Sequence, residues 1–210
     1  MRISGLIKIA LLLVFAVPGA KACETIDSLS SHETILKVKI ETGNSFEKGL
    51  YKSTLDISKH HMSGFIFLKK TSDSSYRIIF SNQIGMKFFD FEIVEENFIV
   101  HYCFPSLNRK PLLKILRNDF ITFLFPFQGL KKTILLKGTV DSCDFKVKTA
   151  NGKWIYGISN FSKRIIRMNT RGRFIQKTSI RISYLDANPS KIIILNPTIR
   201  LTLEMDLIAP

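Results

Sequence analysis

The chain has 210 residues, 45% of them hydrophobic, with 31 Lys and Arg against 17 Asp and Glu and a formal charge of +14. That length suits one domain with a sizeable core, and beyond a short leader no run approaches the roughly 20 apolar residues of a membrane-crossing helix; FITFLFPF at 120–127 is too short. A cationic balance first suggests nucleic acid, but the leader points to export, where anionic headgroups are the commoner counterpart.

Residues 1–22 carry Arg2 and Lys8, an apolar run from Ile9 to Val17, then Pro18-Gly19 and the small residues Ala20 and Ala22. This is the layout of an export signal. Two cleavages compete. Ala20-Lys21-Ala22 fits ordinary signal peptidase, whereas a small residue directly before Cys23 resembles the bacterial lipobox, in which that cysteine becomes the lipidated N-terminus. Ala20 stands where the lipobox usually has Leu. Lipidation of Cys23 is the preferred reading, because it uses one of the three cysteines and leaves an even pair, Cys103 and Cys143. Those two either bridge in an oxidising compartment or remain separate buried thiols. Residues 23–34 are polar and without period, as in a tether or a short entry helix.

The domain proper is expected over 35–210. ILKVKIE at 35–41 alternates apolar and charged residues, a period of two for a strand with one wet face. LYKSTLDIS, SGFIFLKK, SYRIIFS, KFFDFEIV and NFIVHYC follow, separated by Gly, Ser, Asp and Asn clusters whose short lengths imply antiparallel hairpins. In LNRKPLLKILRNDFITFL the period changes. Asn108 is placed to cap a helix that tolerates Pro111 in its first turn, with Leu112, Leu113, Ile115, Leu116 and Phe120 on one face. A second block of strands runs from TILLKG to TIRLTLEMDLI, and no internal repeat is present. The elements predict a mainly β, α+β fold: a strongly curved antiparallel half-barrel of about a dozen strands, with one or two helices covering its concave mouth.

Seventeen phenylalanines are many for this length. Phe65, Phe67, Phe89, Phe91 and Phe98 fall on strands, where they line a concave apolar face, joined by Leu113 and Leu116 from the helix. An ordinary core and an acyl-chain pocket are lined alike, so composition does not separate them.

Within SYRIIFSNQIGMKFFDFEI, the turn Asn82-Gln83-Ile84-Gly85 contains an isoleucine where turn chemistry favours Gly, Asn, Asp, Ser or Pro. Either Ile84 folds back onto the core or it is held in water for a purpose.

No GxSxG, HExxH, P-loop or paired CxxC motif occurs, so no enzyme chemistry, metal or cofactor is expected. His60 and His61 are neighbours on an extended chain and point apart. His32 and His101 lack partners at ligand spacing. The carboxylates Asp56, Asp90, Glu92 and Asp144 form no preferred pair. Arg164, Arg167, Arg171 and Arg173 form the densest cationic stretch, a solvated strand face or a phosphate contact.

The order of leader ending in Cys23, strands, the Tyr76-Arg77 hairpin with its Asn82-Gln83-Ile84-Gly85 turn, one amphipathic helix, further strands and a closing TIRLTLEMDLI resembles LolB, the outer-membrane lipoprotein receptor, and more loosely its periplasmic partner LolA. The LolB hairpin has Asn-Pro-Leu-Gly at the turn, so Gln83 stands in place of proline and removes a backbone constraint. The resemblance implies a receptor anchored at the periplasmic face of the outer membrane. It would accept lipoproteins by their acyl chains from a LolA-like carrier and insert them into the bilayer, as a monomer and without nucleic acid. Ile84 and Gly85 would then be the membrane-insertion tip. A soluble periplasmic LolA-like chaperone and a structural lipoprotein that docks a protein partner are the alternatives.

Overall fold

Alternation in the sequence becomes alternation in burial. In β1 (Lys48–Ile57) Tyr51, Ser53, Leu55 and Ile57 are buried, while Lys48, Lys52 and Asp56 are exposed. The computed structural model describes residues 47–95, 97–149, 152–171, 176–186 and 188–210. The leader, Cys23, the tether at 23–34 and the strand expected at 35–41 lie outside the described residues.

The other elements are β2 (His60–Ser72), β3 (Ser75–Ser81), β4 (Lys87–Val94), β5 (Asn97–Cys103), α1 (Lys110–Leu124), β6 (Lys132–Gly138), β7 (Ser142–Thr149), β8 (Gly152–Ser159), β9 (Ile165–Arg171), β10 (Gln176–Leu185), β11 (Asn188–Asn196) and β12 (Leu201–Ala209). All twelve strands form one antiparallel sheet in the order β5-β4-β3-β2-β1-β12-β11-β10-β9-β8-β7-β6. The first and last strands of the meander pair with each other, and the sheet stays open as a curved half-barrel. Its two edges among the described residues, β5 and β6, are consecutive in sequence, and α1 is the connection between them. The helix therefore has to cross the mouth of the half-barrel, and it is the one helix among the described residues.

Burial of its apolar face holds α1 in place. Leu112, Leu116, Phe120, Ile121 and Phe123 join the inner side chains of the sheet in a single cluster. The helix begins one residue later than Asn108 would have it: Arg109 is the cap residue and offers no side-chain bond. The amide of Asn108 is bonded instead to the carbonyl of Phe104 (3.0 Å), which leaves it in the preceding turn. Pro111 sits in the first helical turn, where a missing N–H costs nothing.

Register decides which phenylalanines face inward. Ile66 and Leu68 are fully buried and pair with Phe80 and Ile78, so β2 turns Phe65 and Phe67 to the convex face, where they are half-buried. The expectation that these two line the concave face is corrected. The run GFIFL is apolar at consecutive positions, so its phase is not readable without neighbours. Cys103 is a free thiol, which excludes the Cys103–Cys143 bridge. β5 forms one edge of the sheet and β7 lies next to the other edge. Burial pushes the Cys103 thiol up to about 11.

Candidate functional site

The β3–β4 hairpin projects Ile84 into solvent at 89% exposure, beside Met86 at 45%. Asn82 makes that possible. Its amide donates to the carbonyl of Met86 (2.9 Å), its own carbonyl accepts from Gly85 N–H (3.2 Å), and its side-chain oxygen accepts from Ile84 N–H (3.1 Å) and Met86 N–H (2.8 Å). The constraint that proline would supply at position 83 comes here from hydrogen bonds to position 82. Gly85 has φ of 87°, and a Cβ there would meet nothing within 4 Å, so glycine is required by backbone angle rather than by space. At the base of the turn the backbones pack closely: a Cβ on Gly64 would lie 2.0 Å from the carbonyl oxygen of Ser81.

Both faces of the hairpin are locked. On the convex side Arg77 Nε donates to Asp90 (2.6 Å) and its Nη1 to Glu92 (3.0 Å), while Lys87 reaches Asp90 (2.8 Å) and His101 reaches Glu92 (2.7 Å). Burial of Asp90 works against its ionisation, but the bonds and charges of Arg77 and Lys87 outweigh it and hold its carboxyl below the usual range. On the concave side Phe80 packs on Phe88 and Phe89, with centroids 4.8 and 5.4 Å away, and Phe89 stacks on Phe91 at 4.4 Å with rings 2° from parallel. An aromatic layer of this kind is stiff and wholly apolar.

That layer continues into the mouth. Phe98 on edge strand β5 packs on Phe91 at 4.8 Å, and Phe120 of α1 meets Phe89 edge-on at 6.2 Å. Phe89, Phe91 and Leu116 are buried, whereas Phe98 and Leu113 are partly buried against the same cluster. These five residues therefore belong to, or pack against, one core cluster.

One polar group interrupts the apolar seam, and the sequence pattern does not reveal it. Asp119 of α1, 2% exposed, accepts a hydrogen bond from Thr178 (3.1 Å), whose hydroxyl accepts one from Asn196 Nδ2 (3.1 Å). Its second oxygen, and the hydroxyl of Thr122 one turn on, have no hydrogen-bond partner among the described residues. Burial pushes the Asp119 carboxyl up to about 7, against the lowering effect of the Thr178 bond. In sequence, Asp119 reads as one more solvated helix residue.

A cleft of about 380 Å³ opens at the same end of the strands as Ile84. Its apolar wall is Ile57, Leu107, Pro111, Leu112 and Ile199, and Lys59, His60 and Arg109 stand at its lip. Elsewhere the arginines of 164–173 prove occupied where described. Arg164 lies over the ring of Tyr184 at 5.1 Å and bonds to the carbonyl of Asp186, and Arg167 reaches Asp144 at 2.6 Å. His61 is bonded to Asp56, and no metal-binding cluster occurs among the described residues.

No protein-family model and no curated protein matches the sequence. Solved structures do match in shape. A LolA superfamily protein from Nitrosomonas europaea superimposes with a TM-score of 0.57 at 9% identity, over 85% of this chain and 91% of that one. A putative outer membrane lipoprotein-sorting protein domain from Vibrio parahaemolyticus gives 0.47 at 9% identity, over 84% and 89%. A DUF1329 family protein from Desulfovibrio piger gives 0.48 at 7% identity, over 84% and 90%. At such identities the likeness concerns the fold alone, and on the first of these superpositions, together with the open twelve-stranded sheet and its crossing helix, the chain has a LolA-like fold.

Proposed function

We propose that the protein is a non-catalytic lipoprotein carrier that holds acyl chains between the aromatic concave face and α1 and releases them at a membrane. In the fuller form of the proposal it is a LolB-like receptor, anchored through Cys23 to the outer membrane and loaded by a LolA-like carrier. The observation that carries the reading is Ile84. An aliphatic side chain gains roughly 1.5 to 3 kcal/mol when buried, yet here a hairpin fixed on both faces keeps it in water, out of reach of the core. Transient entry into lipid recovers that energy and is weak enough to reverse. Transfer then needs no covalent step, since the cargo exchanges one apolar environment for another and capture by the bilayer sets the direction.

Ile84→Glu tests this. A charge at the tip opposes entry into lipid, so lipoprotein transfer into liposomes should stop while the melting temperature and binding of a fluorescent acyl probe stay at parental values. Ile84→Leu should be silent. A glutamate variant that transfers as well as the parent removes the reading.

A second reading is favoured by the packed interior. Phe89, Phe91 and Phe120 already fill one another's space, as expected of a structural lipoprotein that docks a protein partner and uses its phenylalanines as core. It predicts no acyl-probe binding and a stoichiometric complex on pull-down.

A further inference from the structure

The turns at the two ends of the sheet differ in charge. At the end away from Ile84, four turns carry an exposed carboxylate, Asp73, Glu95, Asp141 and Asp186. The remaining turn, 160–164, is bonded to two of these through the carbonyls of Asp141 and Asp186. At the Ile84 end the described turns 58–59, 82–86, 104–109 and 197–200 contain no Asp or Glu, and Lys59, Arg109 and Arg200 are exposed there. Strand register adds three more cations at this end. Lys132 pairs with Lys148 and Lys148 with Lys153, so three exposed ammonium groups stand side by side across β6, β7 and β8. Like charges directly opposite one another destabilise a sheet unless something anionic lies over them.

None of these six cations forms an ion pair among the described residues. The carboxylate that register places at this end, Asp56, is already held by His61 at 2.6 Å. The apolar tip, Ile84 with Met86, projects at the same end of the strands as these cations, and two of them, Lys59 and Arg109, line the apolar-walled cleft. A soluble polyanion would satisfy the charges and leave Ile84 in water. A surface with anionic groups above an apolar layer satisfies both.

We propose that this end of the half-barrel is a docking face for an anionic phospholipid bilayer, with the six cations at headgroup level and Ile84 entering the acyl layer. The proposal rests on the carrier reading only for the purpose of docking, since the charge distribution stands without it. The test uses the full chain with Cys23→Ser, so that no acyl anchor contributes, and sedimentation with phosphatidylcholine vesicles with or without phosphatidylglycerol. Affinity for the anionic vesicles should exceed that for neutral ones by about tenfold or more and should collapse in high salt. The triple variant Lys132→Gln/Lys148→Gln/Lys153→Gln should lose about tenfold or more of it, with unchanged melting and unchanged acyl-probe binding in solution. A far-end control, Lys48→Gln/Lys69→Gln/Lys163→Gln, should lose less than about twofold, because its charges lie beyond the screening length from the bilayer. Equal binding to neutral and anionic vesicles, or equal losses in the two triple variants, overturns the docking face. Absence of acyl-probe binding in the parent overturns the carrier function and leaves the docking result standing.

Discussion

Asp119 sits on the covered face of α1 with one oxygen bonded to Thr178 and the other left without a partner among the described residues. Its folded-state value of about 7 lies above the ordinary carboxylate value of about 4, so the folded protein holds this proton more tightly than the unfolded chain does. Stability contributed by this site is therefore full below pH 4, falls as pH rises from about 4 to about 7, and stays low above that. The loss amounts to on the order of a few kcal/mol. Asp119→Asn keeps the shape and removes the ionisation. Chemical denaturation at pH 5 and pH 8 should find the variant more stable than the parent by a margin that grows with pH, and a margin independent of pH refutes the assignment. Because Asp119 joins helix to sheet, its ionisation weakens that seam in particular.

At the scale of elements, α1 and the β3–β4 hairpin are held in different ways. The hairpin has ladder hydrogen bonds, a five-residue ion network that includes His101 of β5, and a stacked aromatic face. Side-chain packing and the Asp119–Thr178 bond hold the helix across the mouth, and no ladder hydrogen bond of the sheet runs through it, so it is the element that can leave without breaking the sheet. Phe120→Ala separates the two readings of the interior. Removing a fully buried Phe should cost about 3 to 5 kcal/mol in denaturant titration. If acyl chains take the place of α1 side chains, the same variant should bind the acyl probe more tightly than the parent, since less helix packing must be displaced. If the interior is only a core, stability falls and no probe binds.

For the whole molecule, the pairing of β1 with β12 and the crossing of α1 from edge to edge make one open sheet with one mouth. Ile84, the cleft and the six cations with no ion pair among the described residues all lie at one end of it. How such a molecule reaches a bilayer depends on Cys23. Intact mass of the mature protein from its native source should show an acylated Cys23 as the first residue, which fits the anchored receptor. A chain beginning at an unmodified Cys23 assigns the protein to the soluble chaperone alternative.

The strands and the helix were legible from the chain because period and turn chemistry are local: alternation marks β1, and the shift to 3.6 spacing at Leu112 to Phe120 marks α1. Ile84 stood out because an isoleucine violates turn chemistry, yet its outward direction depends on the bonds that Asn82 makes. The phase of β2 was not legible, since consecutive apolar residues fit either face until Phe80 and Ile78 are set beside Ile66 and Leu68. The cationic run at 164–173 drew notice by its density, but Arg164 and Arg167 are occupied within the fold. The cations without an ion pair among the described residues, Lys59, Arg109, Lys132, Lys148, Lys153 and Arg200, are scattered along the chain and come to one end only through strand register and the loop-to-helix connection. Sequence by itself determined the elements, because hydrophobic period and turn preference act over a few residues. Tertiary structure alone decided the faces and the charged end, because both depend on pairing between residues far apart in the chain.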